Sequence, residues 1–171
     1  MLTPVASKHE NLAQTKGLEA AVDAMLNTGG FRKKGRSWYR DTAESIGALK
    51  LDKSPYGQLF SVYLGVLFKQ LSPELFPKVQ DCHWYGKMTI PGANGEEMLP
   101  MLDLDKPPIT TMALGSLKPV ILTSIDSFVE LIRQRGLPFL SRIQTVEGFK
   151  AAIEEGQFRH FPIGLCLIQN L

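Results

Sequence analysis

The fold is decided by the stretch Leu59–Phe68, which reads Leu-Phe-Ser-Val-Tyr-Leu-Gly-Val-Leu-Phe. Successive residues of a β-strand point to opposite faces of the sheet. One face of this stretch would therefore carry Phe60, Val62, Leu64, Val66 and Phe68, and the other would carry Leu59, Tyr63 and Leu67. Because both faces are apolar, the pattern predicts a central strand that is covered on both sides.

Two further strand-like runs precede this one, at Phe31–Arg40 and Ser45–Lys53. Within the first run, Lys33-Lys34-Gly35 predicts a bulge or a small turn. The connections between the three runs are short, which favours antiparallel neighbours. Together the runs predict a meander, and Lys87–Ile90 is a candidate fourth strand.

Helical patterns flank the predicted sheet. An apolar stripe at three- and four-residue steps predicts a helix over Thr15–Thr28, capped by Thr15 and ended by Gly29-Gly30. Near the C-terminus, residues 123–126 would start a second helix that Gly136 and Pro138 end. A short helical turn at 139–142 and a helix over Thr145–Glu155 follow, and residues 161–171 could add an edge strand.

These elements define an α+β fold. We predict an antiparallel sheet of about four to six strands, with the N-terminal helix and the C-terminal helices packed on it. The 171 residues fit a single domain. Residues 1–13 would form a flexible leader, and residues 91–111 an irregular segment in which 98–104 suits a strand or a helix equally.

Composition excludes several classes of protein. The apolar fraction is 44%, the charged fraction 21% and the formal charge +2, which is ordinary for a globular chain and too small to imply a polyanion partner. Cys82 and Cys166 are the only cysteines, so no disulfide framework is expected. The polar N-terminus lacks an export signal, and no apolar stretch is long enough to cross a bilayer. We therefore predict a cytoplasmic protein without membrane contact.

The first half of the chain, to around Trp84, resembles a known family. The similar stretches are Gly30–Arg40 (GFRKKGRSWYR), Ile46-Gly47, Leu51–Ser54 and Val62–Val66. They resemble the bacterial family called domain of unknown function 4304, in which we would expect glutamine at the position of Asp52. The resemblance implies the fold and an origin in bacteria-like genomes, and it implies no reaction.

A basic and aromatic cluster is the densest feature of the sequence. It comprises Arg32, Lys33, Lys34, Arg36, Trp38, Tyr39 and Arg40. Cations that contact phosphates and rings that stack on bases are what single-stranded nucleic acid requires. Alternation along one strand would place Arg32, Lys34, Arg36, Trp38 and Arg40 on one face. The simpler interpretation is a solvated or edge strand that its charges protect from aggregation.

A second candidate site lies at Asp81–Tyr85, where a carboxylate, a thiol, an imidazole and a phenol fall within one short stretch. On a strand, Cys82 and His83 point to opposite faces, so a catalytic pair would need a partner from elsewhere. The simpler interpretation is a packed Trp84 beside a surface or hydrogen-bonded His83.

No metal or nucleotide motif occurs. Glu96, Glu97, Asp103 and Asp105 could be imagined as a magnesium site, although such spacing also describes the solvated face of a strand. We therefore predict no metal and no cofactor. The leading hypothesis is a non-enzymatic, immunity- or adaptor-like module that binds another protein. The alternatives are RNA or single-stranded DNA binding through the basic strand, and an enzyme with a site around His83. The candidate binding residues are Arg32, Lys34, Arg36, Trp38, Arg40, His83 and Trp84.

Overall fold

The computed structural model describes residues 8–105, 117–158 and 170–171. Within these ranges the helices are α1 (Lys8–Asn27), α2 (Ile125–Leu131), α3 (Leu137–Ile143) and α4 (Val146–Glu154). The strands are β1 (Arg32–Lys34), β2 (Ser37–Asp41), β3 (Ser45–Lys53), β4 (Leu59–Phe68), β5 (Trp84–Lys87), β6 (Ile90–Pro91), β7 (Glu97–Asp103) and β8 (Lys118–Leu122). A 3₁₀ turn at Val79–Asp81 precedes β5, and a π-helical turn at Ile132–Gly136 joins α2 to α3.

All eight strands join one sheet, and the predicted α+β class is confirmed. Strands β1 to β4 form an antiparallel meander, and β3 pairs with β4 over its whole length. The other edge of β4 is shared, since residues 63–66 pair with β5 and residues 59–60 pair with β7. Strand β8 runs parallel to β7, and this is the one parallel pair in the described sheet.

The strongly alternating runs form strands where the sequence predicts them. Strands β3 and β4 have the predicted bounds, Ser45–Lys53 and Leu59–Phe68. The predicted fourth strand, Lys87–Ile90, is wrong in position, because β5 spans Trp84–Lys87 and pairs with β4. Of the segment predicted to be irregular, 91–111, residues Glu97–Asp103 form β7, because their alternate apolar side chains are buried on both faces.

One face of the sheet carries the main core and is covered by helices. The even-numbered apolar residues of β4 lie on this face with Trp38, Leu49 and Leu51, against Leu18, Val22 and Leu26 of α1. Phe128, Ile132, Leu140, Phe149 and Phe158 close the core from the C-terminal side. Burial of these large apolar side chains provides the main favourable term in folding.

Helix α1 starts earlier than the sequence predicts. It begins at Lys8, so residues 8–13 of the predicted leader are helical, and residues 1–7 lie outside the described ranges. The predicted cap at Thr15 is wrong. The Thr15 hydroxyl instead donates to the carbonyl of Asn11 (2.9 Å) and lies 3.0 Å from Oε1 of Gln58, which ties the helix to the sheet.

The C-terminal helices also depart from prediction at one point. Ser124 and Thr145 cap α2 and α4 as expected. Gly136, however, ends no helix, because the chain continues through the π-turn into α3. A Cβ at Gly136 would lie 2.7 Å from Sδ of Met88, so glycine serves close packing here. Residues 159–169, which hold most of the predicted edge strand 161–171, lie outside the described ranges.

The second face of the sheet has a smaller cover. It presents Tyr39, Ile46, Ala48 and Leu67, and the connection from β4 to β5 lays Val79 and Cys82 over them. A Cβ at Gly65 would lie 3.0 Å from Sγ of Cys82, so only glycine lets this connection approach β4 closely. Further along the same face, Leu59, Leu99 and Met101 form a separate apolar cluster.

Candidate functional site

The basic cluster lies on a hairpin and not on a single strand. Strands β1 and β2 are joined by a tight turn at Gly35, whose φ of +64° favours glycine. Directly paired residues share a face, and the pairs are Arg32 with Tyr39, Lys33 with Trp38 and Lys34 with Ser37. The turn therefore reverses the predicted alternation. Trp38 and Arg40 lie on the helix-covered face, and Arg32 and Lys34 lie on the other, so the predicted common face is wrong.

Trp38 is part of the core. Its side chain is 1% exposed, and its Nε1 donates a 2.8 Å hydrogen bond to Oδ1 of Asp23 on α1. The ammonium of Lys33 lies 5.3 Å from the centre of its ring. No base could stack on a ring in this position, so the expected aromatic contact with nucleic acid is lost.

Three cations of the cluster are held by other elements. Lys33 and Arg36 face Glu19 of α1, at 3.7 and 3.9 Å. Arg40 donates from Nε (2.9 Å) and Nη2 (2.6 Å) to Oε1 of Gln144, in the turn between α3 and α4. Burial lowers the pKa of Arg40. These contacts link the cations to α1 and to the turn between α3 and α4.

Arg32 and Lys34 are left beside a group of apolar side chains. They lie on the second face of the sheet with Tyr39, Leu75 and Phe76, and we call these five residues the β1 patch. The rings of Phe76 and Tyr39 pack edge to face, with their centres 5.6 Å apart. The ammonium of Lys34 lies 5.5 Å from the centre of the Phe76 ring. A cavity of about 170 Å³ opens between Arg32, Tyr39, Leu75 and Phe76.

Leu75 and Phe76 are the functional candidates that sequence reasoning missed. They are 58% and 41% exposed, in a connection bounded by Pro73 and Pro77. Two adjacent large apolar residues between prolines, without a strand or helix period, were the available signal, because such a segment has no core face of its own. Asp41, at the rim of the cavity, is paired with Lys69. Arg32 therefore borders a recess of mixed polar and apolar surface, and Lys34 lies beside its Phe76 wall.

His83 and Cys82 each contact a backbone group, His83 on β4 and Cys82 in the connection before β5. Nδ1 of His83 accepts a 2.8 Å hydrogen bond from the backbone N–H of Phe68, and the two rings are stacked. Burial lowers the pKa of His83, and burial raises the pKa of the Cys82 thiol to about 12. A neutral imidazole with one nitrogen engaged and a thiol that stays protonated lack the features of an activated nucleophile.

Trp84 lies on the opposite side of the sheet from the β1 patch. Its ring packs against Phe158 at 4.8 Å and Phe139 at 5.9 Å. The interpretation of Trp84 as a packed residue beside a hydrogen-bonded His83 agrees with these contacts.

The four acidic residues considered as a magnesium site are separated. Glu96 accepts from the backbone N–H of Asn94 at 2.9 Å, within the turn between β6 and β7. Asp103 and Asp105 lie at the far end of β7, where they line a cavity with Asp126. Among the described residues, no three His, Cys, Asp or Glu side chains are grouped to hold a metal ion. The described helices also include none of the length and apolarity that a membrane span requires.

The fold is thus that of an α+β protein in which one layer of helices covers a mostly antiparallel sheet. The chain belongs to the family described as Domain of unknown function (DUF4304), whose model matches residues 22–112. The match extends from within α1 to beyond β7 and contains the whole β1 patch. No curated protein and no solved structure matches the chain.

Proposed function

We propose that this protein is a binding module that uses the β1 patch to hold an acidic segment of another protein. The observation that carries the proposal is the exposure of Leu75 and Phe76 beside a strand that presents Arg32 and Lys34. Exposed large apolar side chains with flanking polar groups are typical of interaction sites. The two cations select a partner segment that combines carboxylates with a large apolar side chain.

Strand β1 supplies a second means of attachment. In the described part of the chain it pairs only with β2, so its outer edge keeps unpaired backbone N–H and C=O groups. An extended peptide could add a strand there, which is a common mode of peptide recognition. The three charged residues of β1 would repel another copy of this cationic edge and would favour an acidic strand.

A micromolar affinity requires both the β1 patch and backbone pairing along β1. Burying the exposed parts of Leu75 and Phe76 would contribute about 2–4 kcal/mol. A micromolar complex needs about 8 kcal/mol. Backbone pairing along β1 and contacts with Arg32 and Lys34 would have to provide the difference, so a short peptide without acidic residues should bind poorly.

A peptide-display selection on the full chain tests the proposal. We expect enriched peptides to contain acidic residues around one aromatic or large aliphatic residue. Their affinity, measured by fluorescence polarisation, should fall at least about tenfold in Arg32→Glu/Lys34→Glu and in Phe76→Ser. The control Lys16→Glu/Lys150→Glu changes the net charge equally at exposed helical positions and should bind as the parent does.

Two results would overturn the proposal. One is a selection whose peptides bind the Arg32→Glu/Lys34→Glu variant as tightly as the parent. The other is tight binding of single-stranded oligouridine that weakens steeply with salt and is lost in the same variant, which would establish nucleic acid as the partner.

A further inference from the structure

A second cavity lies on the helix-covered side of the sheet, away from the β1 patch. It has a volume of about 390 Å³, which is within the usual range for sites that bind small molecules. The connection from β5 to β6 forms one wall, and the π-turn with the start of α3 forms the opposite wall. Gln157, just after α4, borders the cavity as well.

The lining combines apolar and polar surface in similar amounts. Trp84, Met88 and Phe139 supply apolar and aromatic surface, and Thr89, Gln157 and Arg135 supply a hydroxyl, an amide and a guanidinium. Aromatic and aliphatic side chains beside polar groups that can orient a ligand are a common arrangement in small-molecule sites.

Arg135 owes its position to the π-turn. Such turns are rare and often occur at functional sites, because the wide turn shifts the side chains that follow it. The neighbouring Arg133 is paired with Glu130 at 2.6 Å. Arg135, by contrast, has no ion-pair partner among the described residues. Gly136 fixes the turn against β5 and β6 through its close approach to Met88.

Within the described ranges, Trp84 adds a hydrogen-bond donor without an acceptor. The residue is 4% exposed, and its buried Nε1 has no hydrogen-bond partner among the described residues. A buried donor left unsatisfied costs about 1–3 kcal/mol, and tryptophan usually finds a partner when buried. Trp84 also lines the cavity, where its ring offers apolar surface to a ligand.

Two other charged residues border the cavity. The ammonium of Lys87 lies 5.4 Å from the ring centre of Tyr63, on the second face of the sheet. Glu97 is already engaged in other interactions. Arg135 is therefore the charge best placed to meet a ligand, and guanidinium groups pair well with carboxylates.

We propose that this cavity binds a small monocarboxylate with an aromatic or aliphatic body. The carboxylate would lie against Arg135, and the apolar body would lie between Trp84, Met88 and Phe139. This inference is independent of the binding function proposed for the β1 patch, since the two sites share no residue and lie on opposite faces of the sheet.

The test uses phenylacetate, with 2-phenylethanol and 2-phenylethylamine as neutral and cationic analogues of similar size. The chain has two tryptophans, so a ¹H–¹⁵N spectrum resolves two indole signals, of Trp38 and Trp84. We expect phenylacetate to shift the Trp84 signal saturably and to leave the Trp38 signal in place. Each analogue should bind at least about tenfold more weakly than phenylacetate.

Variants then identify the group that recognises the carboxylate. Arg135→Gln should weaken phenylacetate binding at least about tenfold, because it removes the charge and keeps a polar side chain. Arg133→Gln, in the same π-turn but outside the cavity lining, should bind as the parent does. Both arginines are exposed, and an unchanged indole spectrum without ligand would show that each variant is folded.

The proposal fails if phenylacetate causes no saturable shift of the Trp84 signal up to its solubility limit. It also fails if phenylethylamine binds as tightly as phenylacetate, or if Arg135→Gln and Arg133→Gln have equal effects. Loss of peptide binding at the β1 patch would leave these measurements unaffected, so the two proposals can fail separately.

Discussion

Replacing Gly47 with alanine tests the contact that fastens the C-terminal helices to the sheet. A Cβ at Gly47 would lie 2.4 Å from Cδ of Gln144, whose side chain is 1% exposed. Oε1 of Gln144 accepts two hydrogen bonds from the Arg40 guanidinium, and its Nε2 donates to the Arg40 carbonyl at 3.1 Å. The amide therefore cannot make room for a methyl group without losing these bonds.

The size of the effect follows from those contacts. Hydrogen bonds to charged groups contribute about 1.5–3 kcal/mol, and an extra methyl group in a packed core costs about 1–3 kcal/mol. We expect Gly47→Ala to lower the free energy of unfolding by about 3 kcal/mol. In a Gln144→Ala background the space is vacant, so the same change should cost less than about 1 kcal/mol, giving a coupling energy of about 2 kcal/mol.

Urea titrations of the four proteins in this cycle, followed by tryptophan fluorescence, measure the coupling. Gly17→Ala on α1 is the control, because the nearest heavy atom to a Cβ there is Cδ1 of Ile125, at 4.0 Å. That change should stabilise the protein by up to about 1 kcal/mol through helix propensity. Equal costs of Gly47→Ala in the two backgrounds would refute the reasoning.

Three further predictions concern buried polar groups. With its pKa raised to about 12 by burial, the Cys82 thiol should hold about a thousandfold less thiolate than an ordinary cysteine, so a Cys166→Ser protein should react with iodoacetamide only after unfolding. Burial lowers the pKa of His83, so the unfolded chain binds a proton at this residue more readily than the folded protein does. The midpoint of urea unfolding should therefore fall as the pH drops below about 6.5. This decline should be weaker in His83→Asn. Trp38→Phe should reduce stability by about 1–2 kcal/mol, measured by urea titration, because it leaves the carboxylate of Asp23 without its donor; no loss would show that water replaces the indole.

The strands that the sequence predicts best are those whose alternation is strong and apolar. In β3 and β4, a shift by one residue would turn buried side chains to the opposite face, so the pattern determines the register. The hairpin at Gly35 carries charged residues on both sides of its turn and lacks the Asn-Gly or Asp-Gly pair that marks such turns. The sequence therefore indicates a bulge or a small turn at this point without indicating that the chain reverses there.

The turn predicted at Lys33-Lys34-Gly35 is present, and its reversal of the chain changes the candidate site. Reversal of the chain at Gly35 moves Trp38 from a predicted binding face into the core and leaves Arg32 on the open face. The positions of Leu75 and Phe76 depend on how the connection from β4 to β5 folds back across the sheet. That course depends on the close approach of Cys82 to Gly65, a contact between residues distant in sequence that no local period can predict.

The two proposed sites differ in how they relate to the family. The β1 patch is formed by residues 32–76, which lie entirely within the matched range 22–112. The cavity takes Trp84 and Met88 from that range, but Arg135, Phe139 and Gln157 come from the helices beyond it. A change in that part of the chain can therefore alter the proposed ligand without changing the β1 patch. The two sites are separate because successive side chains of one strand point to opposite faces of the sheet, and each site lies on one of these faces.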